Sequence, residues 1–284
     1  MTIDRDRLLA HNIPEVVQEY GPEVLARYAL SIGMGQDPMD RVALPYATGA
    51  QAMPAVVCVL GHPGFWLGDP ATGVDALRLV HGEQGITIHA PFPATGRIRA
   101  KTRPTGLVDK GEGRGALLYS EKEIRDADDD TLLATCRITT FLRGDGGYGG
   151  ASDESKSVHT LPDGPPDHVI ETPTRSEQAL LYRWNGDPNT LHTDPDVAAK
   201  AGFEQPILHG LCTFGVAAQA LLSVLCDGDA TRFGSMDARF TAHVFPGEML
   251  VTDIWKDGSF RTRVPGRDKV AIGNGIFRHA GGTA

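Results

Sequence analysis

A chain of 284 residues with 41% hydrophobic and 22% charged side chains can bury one large core or two ordinary ones, which excludes a fibrous protein or a lone hairpin. Its 34 glycines and 19 prolines are scattered, so many turns are expected and a bundle of long helices is excluded. The formal charge of −9, from 36 acidic and 27 basic residues without a block of five Lys/Arg, excludes a nucleic-acid groove; a small anionic ligand stays open, because a few cations act locally within a screening length of about 8 Å.

Residues 1–7 contain no apolar targeting core, and no uninterrupted run approaches the roughly 18 apolar residues of a membrane span. Gly281-Gly282-Thr283-Ala284 is neither a peroxisomal nor a retention address. Cys58, Cys136, Cys212 and Cys226 sit in apolar contexts without C-x-x-C spacing. They are expected as reduced core residues of a cytoplasmic protein, not as zinc or disulfide partners.

In chain order, the apolar run Pro54 to Leu60 reads as a buried segment, and strands are expected between Gly85 and Leu142. Gly111-Glu112-Gly113-Arg114-Gly115 reads as a hairpin, since no helix pattern follows that could make it a phosphate loop. Residues 144–173 are rich in Gly, Ser, Asp and Pro and are expected as a surface linker. That divides the chain into halves at 1–143 and 174–284.

The halves resemble each other. Tyr28 to Gly33 matches Tyr182 to Asp187, and the segment around His89 matches the one around His243, both at an offset of 154 residues. Two matches sharing one offset point to a duplicated fold. In the second copy, Thr174 and Glu177 have capping-box spacing before a helix that Gly186 would end, and Asp194-Pro195 reads as a cap with Pro at the first helical position. Residues 210–225 are apolar nearly all round, so they are expected as a helix buried on most sides. Strand alternation follows at 237–245, 249–256, 259–264 and 269–278, which makes an α+β arrangement of a sheet wrapped around a helix.

The chemistry lies between Asp187 and Gly210. Gly186-Asp187-Pro188-Asn189-Thr190-Leu191-His192 holds a carboxylate, an amide and an imidazole in one loop, and Asp with His can hold and deprotonate a water molecule. The alternative is that Asp187 and Asn189 merely cap the turn. Opposite Asp187, Asn189 and His192 the first half has Gly33, Gly35 and Pro38, so the scaffold does not require the polar side chains. His209-Gly210 opens the buried helix, whose first-turn amides suit an oxygen that gains negative charge. His209 could meet substrate or cap that helix, and Tyr182 could wall the site or only pack. A zinc pairing of His192 with His209 lacks a Cys or third His, and no G-x-S-x-G elbow is present.

The stretch from Tyr182 to Gly210, with its Tyr, Gly-Asp-x-Asn core, Leu-His and His-Gly helix start, resembles the hydratase 2, or MaoC-like, (R)-specific enoyl-CoA hydratases. The similarity extends to His81-Gly82-Glu83-Gln84 and Asp109-Lys110-Gly111 in the first half. It implies a double hotdog, meaning two tandem antiparallel sheets each around a central helix. The first half would be non-catalytic and accommodate the acyl chain.

The resemblance also implies Asp187 and His192 as the catalytic dyad, Asn189 in support, and Gly210 N–H on the thioester oxygen; Tyr182 is a further candidate for support and His209 for contact with substrate. No metal and no cofactor are implied beyond the CoA of the substrate, and a homodimer is expected. Asn185 and Thr190 depart from the usual small hydroxyl and Pro. Glu83 is a candidate for the acyl or pantetheine channel, against a solvated strand end. Arg97, Lys101 and Arg103 are candidates for the CoA phosphates. The competing readings are a hotdog acyl-CoA thioesterase, which the same cleft would serve, and a non-catalytic partner subunit, which would lack the dyad in both halves.

Overall fold

The computed structural model describes residues 3–149 and 151–281. The first half contributes strands β1 (Val16–Tyr20), β2 (Leu79–Ile88), β3 (Gly96–Asp109), β4 (Ala116–Asp126) and β5 (Leu132–Leu142), with helices α1 (Arg5–Leu9), α2 (Pro22–Ser31) and α3 (Leu44–Ala47). The second contributes β6 (His168–Pro173), helices α4 (Gln178–Tyr182), α5 (Pro195–Lys200) and α6 (Gly210–Leu225), then β7 (Phe233–Phe240), β8 (Met249–Ile254), β9 (Ser259–Val264) and β10 (Lys269–His279). They form one ten-stranded antiparallel sheet in the order β1-β3-β4-β5-β2-β7-β10-β9-β8-β6.

That order is symmetric about its centre, and each half reads outward in the same way. The duplication is therefore visible in the pairing itself. The two copies are zipped along β2 and β7, where Glu83 pairs with Arg239 and Gly85 with Asp237. Ion pairs reinforce the seam on one face, Arg239 Nε to Glu83 at 3.1 Å and Arg137 to Asp237 at 3.0 Å.

Helix α6 is the core of the second half, and ten of its sixteen residues are buried. A side chain at Gly215 would begin 2.5 Å from Ile32, so this glycine is where the end of α2 comes against α6. The first-half counterpart is shorter: Pro54–Cys58 forms a 3-10 turn, not a helix of several turns. β-Branched residues dominate this run, and Gly61 closes it at φ +61° with Ala100 only 2.2 Å from where its side chain would begin. The carbonyls of Cys58 and Leu60 would be orphaned in the interior, and that of Val57 would have only the Cys136 thiol at 3.3 Å. Buried Lys122 donates to all three from β4, at 3.0, 3.3 and 2.6 Å.

Two expectations need correction. Residues 168–173 are not linker but β6, paired with β8 from His168↔Ile254 to Pro173↔Met249; their alternating exposure shows an edge strand with half-buried β-branched positions. Before it, the connecting segment crosses the sheet, tied down by Asp153 on Leu107 N (2.8 Å) and His159 on Ser259 Oγ (2.8 Å). Thr174 and Glu177 form no capping box. Thr174 Oγ1 instead donates to Glu248 O at 2.7 Å, so α4 starts only at Gln178. The Asp194-Pro195 cap forms, with the carboxylate accepting from Asp196 and Val197 N–H, and the hairpin of Gly111, Gly113 and Gly115 joins β3 to β4. Among the described residues no helix is long and apolar enough to cross a membrane, and the four cysteines are free and buried.

Replacing Lys122 with Met strands the Cys58 and Leu60 carbonyls and leaves Val57 O only the Cys136 thiol. A loss of at least about 2 kcal/mol in chemical denaturation is expected, and an unchanged midpoint would show that those carbonyls find other donors.

Candidate active site

The site is built on the connection from α4 to α6. Gly186 ends α4 and its following 3-10 turn in the left-handed conformation, φ +103°. The turn is stabilised from within: Asp187 Oδ1 accepts Asn189 N–H and Asn189 Oδ1 accepts Leu191 N–H, both at 3.1 Å. Asn189 thus caps the short 3-10 turn Thr190–His192. Capping uses only one Asp187 oxygen. Oδ2 lies 3.9 Å from His209 Nε2.

The helix ends keep the 154-residue offset, Ser31 against Asn185, but the left-handed glycine comes one residue later in the first half, at Gly33 with φ +97°. The first half still makes the turn without a carboxylate.

The two imidazoles meet face to face. The rings of His192 and His209 stack with centroids 3.8 Å apart and planes 27° off parallel. His192 Nδ1 lies 2.8 Å from Ile207 O. A carbonyl only accepts, so Nδ1 carries the hydrogen and Nε2 keeps its lone pair. His209 is 2% exposed and neither ring nitrogen has a hydrogen-bond partner among the described residues. Although it occupies the cap position of α6, its side chain makes no capping bond, so it faces the site instead. Tyr182 lies behind it at 4.9 Å, buried and with an unpartnered hydroxyl. Unpartnered buried polar atoms are uncommon and costly. His209 and Tyr182 contribute three of them at this site.

Gly210 is exposed at the start of α6, where the amide has no intrahelical acceptor. Phe240 lies 3.5 Å from where a Gly210 side chain would begin, and His81 packs on the other side of Phe240 at 5.0 Å. His81 Nε2 is 3.1 Å from Glu83 O. The charge of Asp187 reaches His81 and also His62, two first-half residues that the sequence did not single out for the site. Their signal was absent because their approach depends on the seam between halves, not on spacing.

The first half supports the loop as well. Ser31, at the end of α2, takes Asn185 Nδ2 on its hydroxyl at 2.7 Å and Gln178 Nε2 on its carbonyl at 2.6 Å. The departure at Asn185 therefore ties the loop to the other half. Nothing in the structure explains Thr190. Glu83 is held by Arg239 and by Thr139 Oγ1 at 2.7 Å, and it lines a cavity with Arg137 and Lys156. Arg103 is engaged by Glu121 and Glu123, and Lys101 by Ile13 O.

Burial pushes the His192 imidazole down, against the pull of Ile207 O and Asp187. It lowers His209 to about 3, with neighbouring His192 acting in the same direction, and His81 to about 4. These rings are neutral at neutral pH. Asp187, His192 and His209 also form the one described trio that could hold a metal ion, their donor atoms all within 4.8 Å of one another.

A MaoC-like domain matches residues 157–276, and the N-terminal domain of the hydratase 2 of multifunctional enzyme type 2 matches residues 19–144. The chain is 38% identical to 3-hydroxyacyl-thioester dehydratase Y of Mycobacterium tuberculosis, over 99% of this chain and all of that one. It is 37% identical to the peroxisomal enoyl-CoA hydratase 2 of Arabidopsis thaliana, over 94% of this chain and 93% of the relative. A MaoC-like dehydratase from Phytophthora capsici superposes with a TM-score of 0.85 at 32% identity, covering 97% and 98% of the two chains. A Mycobacterium tuberculosis protein described as a double hotdog superposes at 0.54 with 16% identity, a likeness of fold alone.

The depressed imidazoles set a pH dependence of stability. Below the unfolded value of about 6.5 the unfolded chain binds protons at His81 and His209 that the folded chain refuses, so stability falls as pH drops from there. The melting temperature is expected to be lower at about pH 5 than at about pH 7. His81→Gln and His209→Gln should each flatten that slope; an unaltered slope in both would remove these rings as its source.

Proposed function

The chain belongs to the MaoC-like hydratase 2 family, and on that membership and the site's geometry we propose that it adds water reversibly to trans-2-enoyl-CoA, giving (3R)-3-hydroxyacyl-CoA in fatty-acid or steroid side-chain metabolism. The observation that carries the reading is the convergence of a half-exposed carboxylate, Asp187, with the imidazole of His192 beside the open end of α6.

The thioester carbonyl withdraws density from C3 of the substrate. Water attacks there, and as the C3–O bond forms the alkene pair shifts through C2 onto the thioester oxygen. Asp187 removes the proton from the water while His192 Nε2 orients it. Gly210 N–H, at the positive end of the α6 dipole, meets the developing oxyanion. The proton is then delivered to C2 on the same face, the enolate collapses and the carbonyl reforms. Asn189 holds Asp187 through its backbone amide, and Tyr182 and His209 form the buried wall behind the dyad.

Acid–base chemistry suffices for this sequence, so the reading includes no metal and no cofactor beyond the CoA of the substrate. The first half would accommodate the acyl chain. A homodimer in the cytoplasm completes the proposal, and exposed Leu30 on α2 with Leu180, Leu181 and Trp184 on and just after α4 supply an apolar surface for self-association.

Asp187→Asn and His192→Ala should each lower the hydration rate of crotonyl-CoA by on the order of 10²-fold or more while leaving circular dichroism unchanged. Chiral analysis should give the R alcohol. Full activity in both variants would discard the dyad, and release of free thiol in place of hydration would favour thioester hydrolysis.

A further inference from the structure

We infer that Asp187, His192 and His209 form a binding site for a borderline divalent transition-metal ion, Zn2+ above all, whose occupation blocks the site. Binding stands on the geometry alone; the inhibition rests on the hydration reading above.

Spacing is the first argument. Tetrahedral zinc with bonds of about 2.0–2.2 Å holds its donors about 3.4 Å apart. The three donor atoms here already lie within 4.8 Å of one another, so an adjustment of about 1 Å closes the set. Asp187 is the partner with room to adjust, half-exposed and engaged in its turn through Oδ1 alone.

The second argument is the tautomer. Zinc-bound histidines commonly donate their other ring N–H to a carbonyl, which fixes the ring and frees one lone pair. His192 has this arrangement toward Ile207 O at 2.8 Å, leaving Nε2 for a metal. The third is His209. It is 2% exposed, beside Asp187, and neither ring nitrogen has a protein partner among the described residues. A metal ion on Nε2 would satisfy a polar atom that folding leaves unpaired.

The rings stack 27° from parallel with centroids 3.8 Å apart, so their planes do not meet within a metal–nitrogen bond length and His209 must turn before both point at one ion. That rotation argues for a dissociation constant on the order of 10⁻⁶ M, far weaker than a structural zinc site. Two imidazoles and one carboxylate suit Zn2+ and Cu2+, whereas Mg2+ prefers an all-oxygen shell with retained waters. Once bound, the ion occupies the carboxylate oxygen and the imidazole lone pair that would handle the water proton.

The test is calorimetric titration of chelator-treated full-length protein with ZnCl2, repeated with CoCl2 under visible absorbance and with MgCl2. One-to-one zinc binding, the intense visible bands of tetrahedral Co2+ and no heat with Mg2+ are expected. Asp187→Asn and His192→Gln, both folded by circular dichroism, should each weaken zinc binding about tenfold or more. Hydration of crotonyl-CoA should fall as zinc is added and return with chelator. Equal zinc affinity in both variants, no binding, or rates unaffected or raised at saturating zinc would overturn the proposal. If zinc binds through the trio but the chelated protein hydrates no enoyl-CoA, the metal site stands and the hydration reading falls.

Discussion

A helix of sixteen residues with only three polar side chains among them, Thr213, Gln219 and Ser223, has to be covered on nearly every side, and that requirement organises the molecule. Burying α6 takes the sheet on one side and α2 with its following residues on the other, down to the contact of Ile32 on Gly215. Its start, however, must remain open, because the first amides of a helix have no partners within it. The same burial that stabilises the second half therefore creates a concentrated positive end where the chain enters at His209-Gly210. Asp187 and His192 are delivered to that end by a loop fixed between two packed helices.

Stability and chemistry conflict at this point. His209 and Tyr182 keep polar atoms in the interior without protein partners, an arrangement that costs folding free energy. Buried charges elsewhere are paired: Lys122 answers three carbonyls, and Asp253, nearly fully buried, is held by Arg261 and Arg263. At the site the unpartnered nitrogens of His209 stand beside a carboxylate, Asp187. Neutral imidazoles fit that position, since a charged pair stacked at 3.8 Å would repel and a neutral ring can still accept a proton.

The duplicated scaffold explains why one half bears the chemistry while both are needed. A sheet running through the β2–β7 seam brings His62, His81 and Ser31 of the first copy to the loop of the second. The first copy has lost its long central helix and makes its left-handed turn with Gly33, without a carboxylate. It serves instead as a wall and an anchor.

By itself the sequence determined the repeat, the buried helix over 210–225, the capped helix at Pro195, the loop that carries Asp187 and His192, and the family, because each is written in local periodicity or a compact motif. Packing across long separations determined the rest. The strand over 168–173 hides in linker-like composition because an edge strand needs only half its residues buried. Thr174 abandons its capping box for Glu248, seventy-four positions away. Whether His209 capped the helix or faced the site, and which first-half residues approach Asp187, depended on how the two halves of one sheet close around the helix. No window of adjacent residues encodes that closure, since the partners are joined only by folding.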